Sequence, residues 1–399
     1  MTHHARMYSR DNDPLIVGWA HTKFGKSDQP DTMGLMAEVA RPALDHAGLT
    51  PDAVDGIFVG VWNNGFSRQD FQGALVAMGT PELAGVPFLR TENACATGSA
   101  ALYAAADFIA SGRGRTALVI GAEKMTATPV SEVGDILLAA SYVPEEAAVE
   151  GGFAGVFGQI ANRYFQRHGD RSEELAMIAA KNHENGMRNP FAHMQKDFGV
   201  AFCNTPSEKN PLVAGPLRRT DCSLISDGAA AIVLADADTA ADLHRAIRFR
   251  ARAQAGDVLA LSRRDPIAFD GARRAWAQAL GAAGVGLGDL NLVETHDCFT
   301  IAEMIEYEAM GLTPPGQGWR AIRDGVTRMD GALPVNTSGG LKSRGHPIGA
   351  TGVSQHVMAA MQLMGEAGEM QVPNAALAGV FNMGGAAVAN YCSILERVS

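Results

Sequence analysis

Two stretches of this 399-residue chain align without gaps. Ala43-Leu44-Asp45-His46-Ala47-Gly48-Leu49, continuing through residues 52–59, matches Ala279-Leu280-Gly281-Ala282-Ala283-Gly284-Val285, continuing through residues 288–295. Each reads as a helix stopping near a glycine, a short turn and a strand. A second pair follows in the same order. Ala96-Thr97-Gly98 and Ala350-Thr351-Gly352 each lead an Ala-rich helix, and those helices run on to strands at 116–120 and 376–380. An ordered double match restricts the chain to two similar halves. The alternation of strands and helices implies an α/β fold with largely parallel sheets covered by helices. Residues 118–120 and 229–234 read as buried strands. Residues 124–219 have no counterpart in the second half and are richer in Pro, Asn, Glu and aromatics. They read as an insertion, and long insertions near strand ends often cover ligands. The expected division is 1–123 with 220–240 as the first half, 124–219 as an inserted loop domain, and 241–399 as the second half.

The net charge of −10 argues against a nucleic-acid partner, which needs a basic face. No run of 18 apolar residues occurs, so no membrane insertion is expected. Residues 1–14 are polar and hold no apolar segment of signal-peptide type. Arg397-Val398-Ser399 is not a peroxisomal address. Five widely spaced cysteines, Cys95, Cys203, Cys222, Cys298 and Cys392, make a poor disulfide framework, and no spacing suggests a metal site. A reducing, cytoplasmic setting is expected.

Four segments could carry chemistry. Cys95 sits between a strand at 86–91 and a helical pattern at 96–111. A helix N-terminus favours negative charge, so the thiol pKa is expected to fall below its usual value of about 8.5. His346 lies in the turn Gly345-His346-Pro347, where a neutral imidazole could take a thiol proton. His296-Asp297-Cys298-Phe299 follows a strand at 290–295, the end at which open α/β sheets place ligands. Phe381-Asn382-Met383-Gly384-Gly385 follows another, and its glycines could offer backbone N–H groups to an oxyanion. Each segment alone also has a plain structural reading, as a buried core cysteine, a surface histidine or a Gly-rich turn.

Together these segments resemble the thiolase family, most closely its sterol-carrier-protein-X type, over residues 14–397. Gly-His-Pro followed by Gly-X-Thr-Gly carries the resemblance, and His-Asp-Cys-Phe at 296–299 marks the subtype. Gly121-Ala122-Glu123-Lys124-Met125 and Ser226-Asp227-Gly228-Ala229-Ala230 also resemble family segments. No sterol-carrier segment is read in these residues. The resemblance implies a thiolase fold: two duplicated βαβαβαββ halves, with two mixed sheets, in a five-layer α-β-α-β-α arrangement with the inserted loop domain covering coenzyme A. It implies Cys95 as the nucleophile, His346 as its activator and Cys298 as a second acid/base. His346 and a water held by His296 would meet the enolate oxygen, and the N–H groups of Cys95 and Gly384 would form an oxyanion hole. Ordinary thiolases carry their second cysteine in a Cys-X-Gly segment where this chain has Asn382, so Cys298 must supply that thiol.

The substrate implied is coenzyme A or an acyl-CoA, with no permanently bound cofactor. Ser223, Lys181, His183, Lys209, Arg218 and Arg219 are the candidates to meet it, although a solvated surface would also account for most of them. A homodimer or tetramer is implied. Two other readings stand beside the acyltransferase. One is a thiolase-like retro-aldol lyase that requires a small OB-fold partner protein. The other is a non-catalytic acyl-CoA-binding protein. A carrier-protein-fed ketoacyl synthase fits poorly with a second cysteine in His-Asp-Cys-Phe.

Overall fold

The computed structural model describes residues 14–398. Residues 1–13, most of the segment tested for a signal peptide, and Ser399 lie outside the described residues. The two aligned stretches fold alike. Helix α1 (Thr32–Ala47) ends on Gly48 at φ 76°, a 3-10 turn at Pro51–Ala53 follows, and strand β2 (Gly56–Gly60) begins. Its counterpart α6 (Asp270–Ala283) ends on Gly284 at φ 65°, with a 3-10 turn at Leu287–Asp289 before β7 (Leu292–Glu294). Both glycines take the left-handed cap conformation that a Cβ disfavours.

A separate hairpin pairs Leu212–Ala214 with Leu217–Arg218, and the remaining strands of the main sheet are β1 (Leu15–His21), β3 (Phe88–Thr91), β4 (Thr116–Glu123), β5 (Gly228–Ala235), β6 (Ile247–Gly256), β8 (Leu377–Gly384) and β9 (Ala389–Arg397). Among the described residues they form one continuous sheet in the order β3-β2-β4-β5-β1-β6-β9-β8-β7. The first five belong to the first half and the last four to the second. Val335 bridges Val293 of β7 in parallel, standing where β3 stands beside β2. The two mixed half-sheets of the expectation join through a short antiparallel contact, Leu15 with Arg248 and Ile16 with Ile247. Antiparallel pairing is more extensive than the alternation implies. β5 runs antiparallel to both β4 and β1, and β9 to both β8 and β6, whereas β2–β3, β2–β4 and β7–β8 are parallel.

Helices α2 (Thr97–Ala110) and α8 (Ile348–Met364) lie between the half-sheets: α8 contacts β4 and β5 on one side and β8 on the other. Helix α1 covers the outer face of the first half, and α6 that of the second, which completes five layers. The repeated Ala-Thr-Gly segments mark the crossing of the central helices. A Cβ on Gly98 would lie 2.8 Å from Gly349 O, and one on Gly352 would lie 2.4 Å from Ser99 N. Only glycine lets these backbones approach so closely, and the approach brings the turns before the two helices together.

The insertion leaves at Glu123 and returns at Gly228. It holds α3 (Val130–Leu137), α4 (Gly152–His168) and α5 (Ser172–Gly186). Its ends are fastened by Asp227, whose carboxylate accepts from Ser27 N, Met125 N, Thr126 N and Lys124 Nζ. Helices α4 and α5 pack on α7 (Thr300–Ala309) of the second half.

Candidate active site

Cys95 sits in the tight turn before α2. Ala94 takes φ 48°, a left-handed conformation that costs a non-glycine residue energy and recurs at functional turns. Thr97 holds the turn by accepting from Asn93 N at 2.9 Å. The thiol is buried, and the backbone N–H of Gly385 hydrogen-bonds toward it. The Cys95 N–H reaches the sulfur as well. Gly384 permits close contact with the turn, since a Cβ there would lie 2.2 Å from Asn93 O.

The sequence argument for a lowered thiol pKa is overturned. Burial pushes the Cys95 thiol up to about 12 against the help of the Gly385 N–H. A helix terminus contributes roughly 0.3–1 kcal/mol, less than one pKa unit, whereas full burial shifts a pKa by up to ~3–5 units. Cys95 rests as a neutral thiol and needs a base.

Two imidazoles stand next to it. Cys95, His296 and His346 each place a ligating atom within 4.8 Å of the others, and the two imidazole rings stand 5.1 Å apart at 82°. His346 Nδ1 lies 2.6 Å from Thr351 Oγ1. The Thr351 hydroxyl donates to Pro347 O at 2.9 Å, so it can only accept from the ring. Nδ1 therefore carries the proton and Nε2 keeps its lone pair. Burial and the nearby Arg344 guanidinium lower the His346 pKa to about 3, which keeps the resting ring neutral. By composition the trio is also a Cys-His-His set of zinc type; of its two imidazoles, His346 offers the Nε2 lone pair a metal would need.

Cys298 lies buried at the start of α7. Burial, then the charges of Cys95, Glu306 and Asp297, raise its pKa well above the usual thiol range. Phe299 stacks on Phe157 of the insertion with ring centroids 4.4 Å apart. The Asp297 carboxylate accepts from Leu341 N, Lys342 N and Asn182 Nδ2 at 2.6, 3.1 and 2.8 Å, tying the Cys298 loop to the chain leading into His346. Glu123 makes the matching clamp on the other side. It accepts from Trp62 N, Asn63 N and Gly349 N at 3.0, 2.9 and 3.0 Å.

Cys95, Cys298 and His346 line a cavity of about 340 Å³ whose walls are mostly apolar, including Met125, Val133, Leu137 and Phe153. Ser223 and Arg219 also line it. The other expected coenzyme A residues are engaged elsewhere. Lys181 is buried, ion-paired to Glu303 and donating to Val335 O at 3.0 Å. Arg218 is buried against Asp221 at 2.7 Å, with further bonds to Asn204 and Ser172 O. His183 is buried edge-on against Phe198. Lys181 ties the insertion to the second half, Arg218 and His183 make these contacts within the stretch between Glu123 and Gly228, and none of the three lines the cavity. Lys209 is exposed and does not line the cavity.

Sequence reasoning left three site residues without a role. In the sequence Thr351 reads as part of the Gly-X-Thr-Gly motif, Asn382 as a missing cysteine, and Glu123 as part of a family segment. The signal for each was its place beside a reacting group.

Residues 15–238 match the family described as Thiolase, N-terminal domain, and residues 253–397 match Thiolase C-terminal domain-like. The chain belongs to the thiolase family. It is 37% identical to an acetyl-CoA acetyltransferase from Methanothermobacter thermautotrophicus over 94% of this chain and 96% of that one. It is 32% identical to sterol carrier protein 2 from Bos taurus over 94% of this chain and 70% of that one. A solved structure described as the Ltp2-ChsH2(DUF35) aldolase shares the thiolase fold, with a TM-score of 0.83, 22% identity, and coverage of 96% of this chain and 98% of that one.

Proposed function

We propose that this thiolase-family enzyme is an acyltransferase that moves acyl groups between coenzyme A thioesters through an acyl group on Cys95. One observation carries the reading: a buried neutral thiol, a bare imidazole nitrogen and a second thiol meet at one apolar cavity. As Cys95 Sγ attacks the carbonyl carbon, its proton passes to His346 Nε2. The collapsing adduct releases its leaving group. In thiolysis of a 3-ketoacyl-CoA that group is the acetyl-CoA enolate, which takes a proton at carbon from Cys298. In condensation Cys298 removes the proton from the acetyl methyl. Free coenzyme A then takes the acyl group from Cys95 in thiolysis. Covalent catalysis of this kind divides one difficult step into two, and the dry, buried site strengthens every donor aimed at the developing oxyanion. The N–H groups of Cys95 and Gly385 are our candidates for that role, and Arg219 and Ser223 for holding coenzyme A.

We assign residues 1–123 with 220–240 and residues 241–399 to the two catalytic halves, and 124–219 to the cover over coenzyme A. No permanent cofactor is part of this reading. A homo-oligomer is supported by the edge strand β3, where Phe88 and Leu89 are exposed and Phe88 packs against exposed Phe71. All five cysteines are free, and among the described residues no helix is long and apolar enough to cross a membrane. The free cysteines support a reducing, cytoplasmic setting, and the likeness to sterol carrier protein 2 supports a role in lipid metabolism.

The test is turnover of a panel of 3-ketoacyl-CoAs with free coenzyme A. The expected products are two acyl-CoAs in equal amounts, formed only when coenzyme A is present. Carbon–carbon cleavage of a 3-hydroxyacyl-CoA without coenzyme A, dependent on an added OB-fold protein, would instead establish the lyase.

A further inference from the structure

Asn382 stands at the end of β8, fully buried and paired across the ladder with Tyr391. Its side-chain oxygen accepts from Ser99 Oγ at 2.8 Å. Its side-chain nitrogen donates to Cys95 O at 3.1 Å and meets His296 Nδ1 at 2.9 Å. A backbone carbonyl only accepts, so the Cys95 contact fixes which end of the amide is nitrogen. The second amide hydrogen then points at His296 Nδ1, which must be the bare nitrogen. The ring proton is left on Nε2. That atom is buried and, among the described residues, has no hydrogen-bond partner, on a ring that stands beside Cys95 and His346. A buried N–H without an acceptor is costly unless something arrives to take it.

We propose that Asn382 is a positioning residue that holds His296 as the Nε2–H tautomer, making its buried ring edge a fixed donor to the oxygen of a bound thioester or enolate. The inference rests on the acyl-transfer reading for the identity of that oxygen. The neighbouring ring is held in the opposite state, because Thr351 keeps the His346 proton on Nδ1. Two imidazoles 5.1 Å apart thus enter the site with opposite faces, one donor and one base. The assignment also breaks the Cys-His-His set as a metal site, since His296 offers a hydrogen where a cation needs a lone pair. A cysteine at position 382 could not do this. It would not donate to Cys95 O and His296 Nδ1 while accepting from Ser99 Oγ.

An aspartate has nearly the same shape and the opposite demand: its carboxylate accepts, so it would draw the proton to Nδ1. The test therefore compares wild type with Asn382→Asp. In wild type, ¹⁵N-histidine NMR is expected to show His296 protonated at Nε2; a bare Nε2 there overturns the proposal and needs no variant. In Asn382→Asp, once thermal unfolding shows it folded, kcat is expected to fall roughly 100-fold or more, the scale of losing one oxyanion donor, with KM little changed. A folded Asn382→Asp enzyme turning over at the wild-type rate would also overturn it. If wild type itself transfers no acyl group, the acyl-transfer reading fails, while the NMR still decides the tautomer.

Discussion

The two Ala-Thr-Gly turns occupy equivalent places in the two halves, and their glycines meet at one crossing, yet their threonines serve different ends. In the first half Thr97 accepts a backbone N–H and shapes the turn that carries Cys95. In the second half Thr351 accepts from the His346 ring and sets where its proton lies. In the proposed reaction the first half contributes a single reacting group on a strained turn. The second contributes His346, His296 and Cys298. Duplication supplies the scaffold and the close approach. The chemistry lies in the side chains that depart from the symmetry.

Removing the first half's only reacting group gives the largest effect. Cys95→Ala is expected to lose acyl-enzyme formation, with turnover down ~10⁴-fold or more; residual turnover at a tenth of wild type would place the nucleophile elsewhere. Cys298→Ala separates the halves differently. Acylation of Cys95 by acyl-CoA should survive while carbon–carbon cleavage or formation falls ~10²–10⁴-fold, as read by mass and by steady-state rate. Thr351→Val should lower the acylation rate ~10–100-fold, the value of one buried hydrogen bond to the base. Its partner Thr97→Val should act mainly on stability, and equal kinetic effects from both would erase the contrast drawn above. Gly98→Ala pushes a Cβ to 2.8 Å from Gly349 O, and the resulting overpacking should cost about 1–3 kcal/mol in urea unfolding.

The smallest effect is a pH slope. Burial raises the Glu123 carboxyl to about 7 from 4.5, against its three backbone donors. The folded state thus holds a proton that the unfolded chain releases. This group's contribution to stability is complete below about pH 4.5, is lost as pH rises to about 7, and is flat above. Glu123→Gln cannot titrate, so its unfolding free energy should change less than that of wild type across that window. Identical slopes would show that Glu123 is already ionised in the fold.

Much of this was legible in the sequence where the determinants are local. Gly48 and Gly284 stop their helices, and the repeated Ala-Thr-Gly opens an Ala-rich helix in each half, because these signals are written in the residues themselves. Cys95, His296, Cys298 and His346 come together because each lies in a turn beside a strand end or helix start on the same side of a duplicated scaffold. What the sequence could not show depends on distant partners. Lys181 looks like a surface cation until α7 brings Glu303 to it. Arg218 is taken up by Asp221, Asn204 and Ser172. The Cys95 pKa follows a helix-terminus argument until burial is known. Asn382 reads as a missing cysteine until its amide is seen joining Ser99, Cys95 and His296.

The central claim is that Cys95 carries the acyl group. The direct measurement is intact-protein mass followed by peptide mapping, after brief incubation with acetyl-CoA and with a panel of 3-ketoacyl-CoAs. The account predicts one acyl group per chain, on the peptide containing Cys95 and removed by free coenzyme A. A well-folded protein that carries no adduct across the panel, or carries it on Cys298, would contradict it.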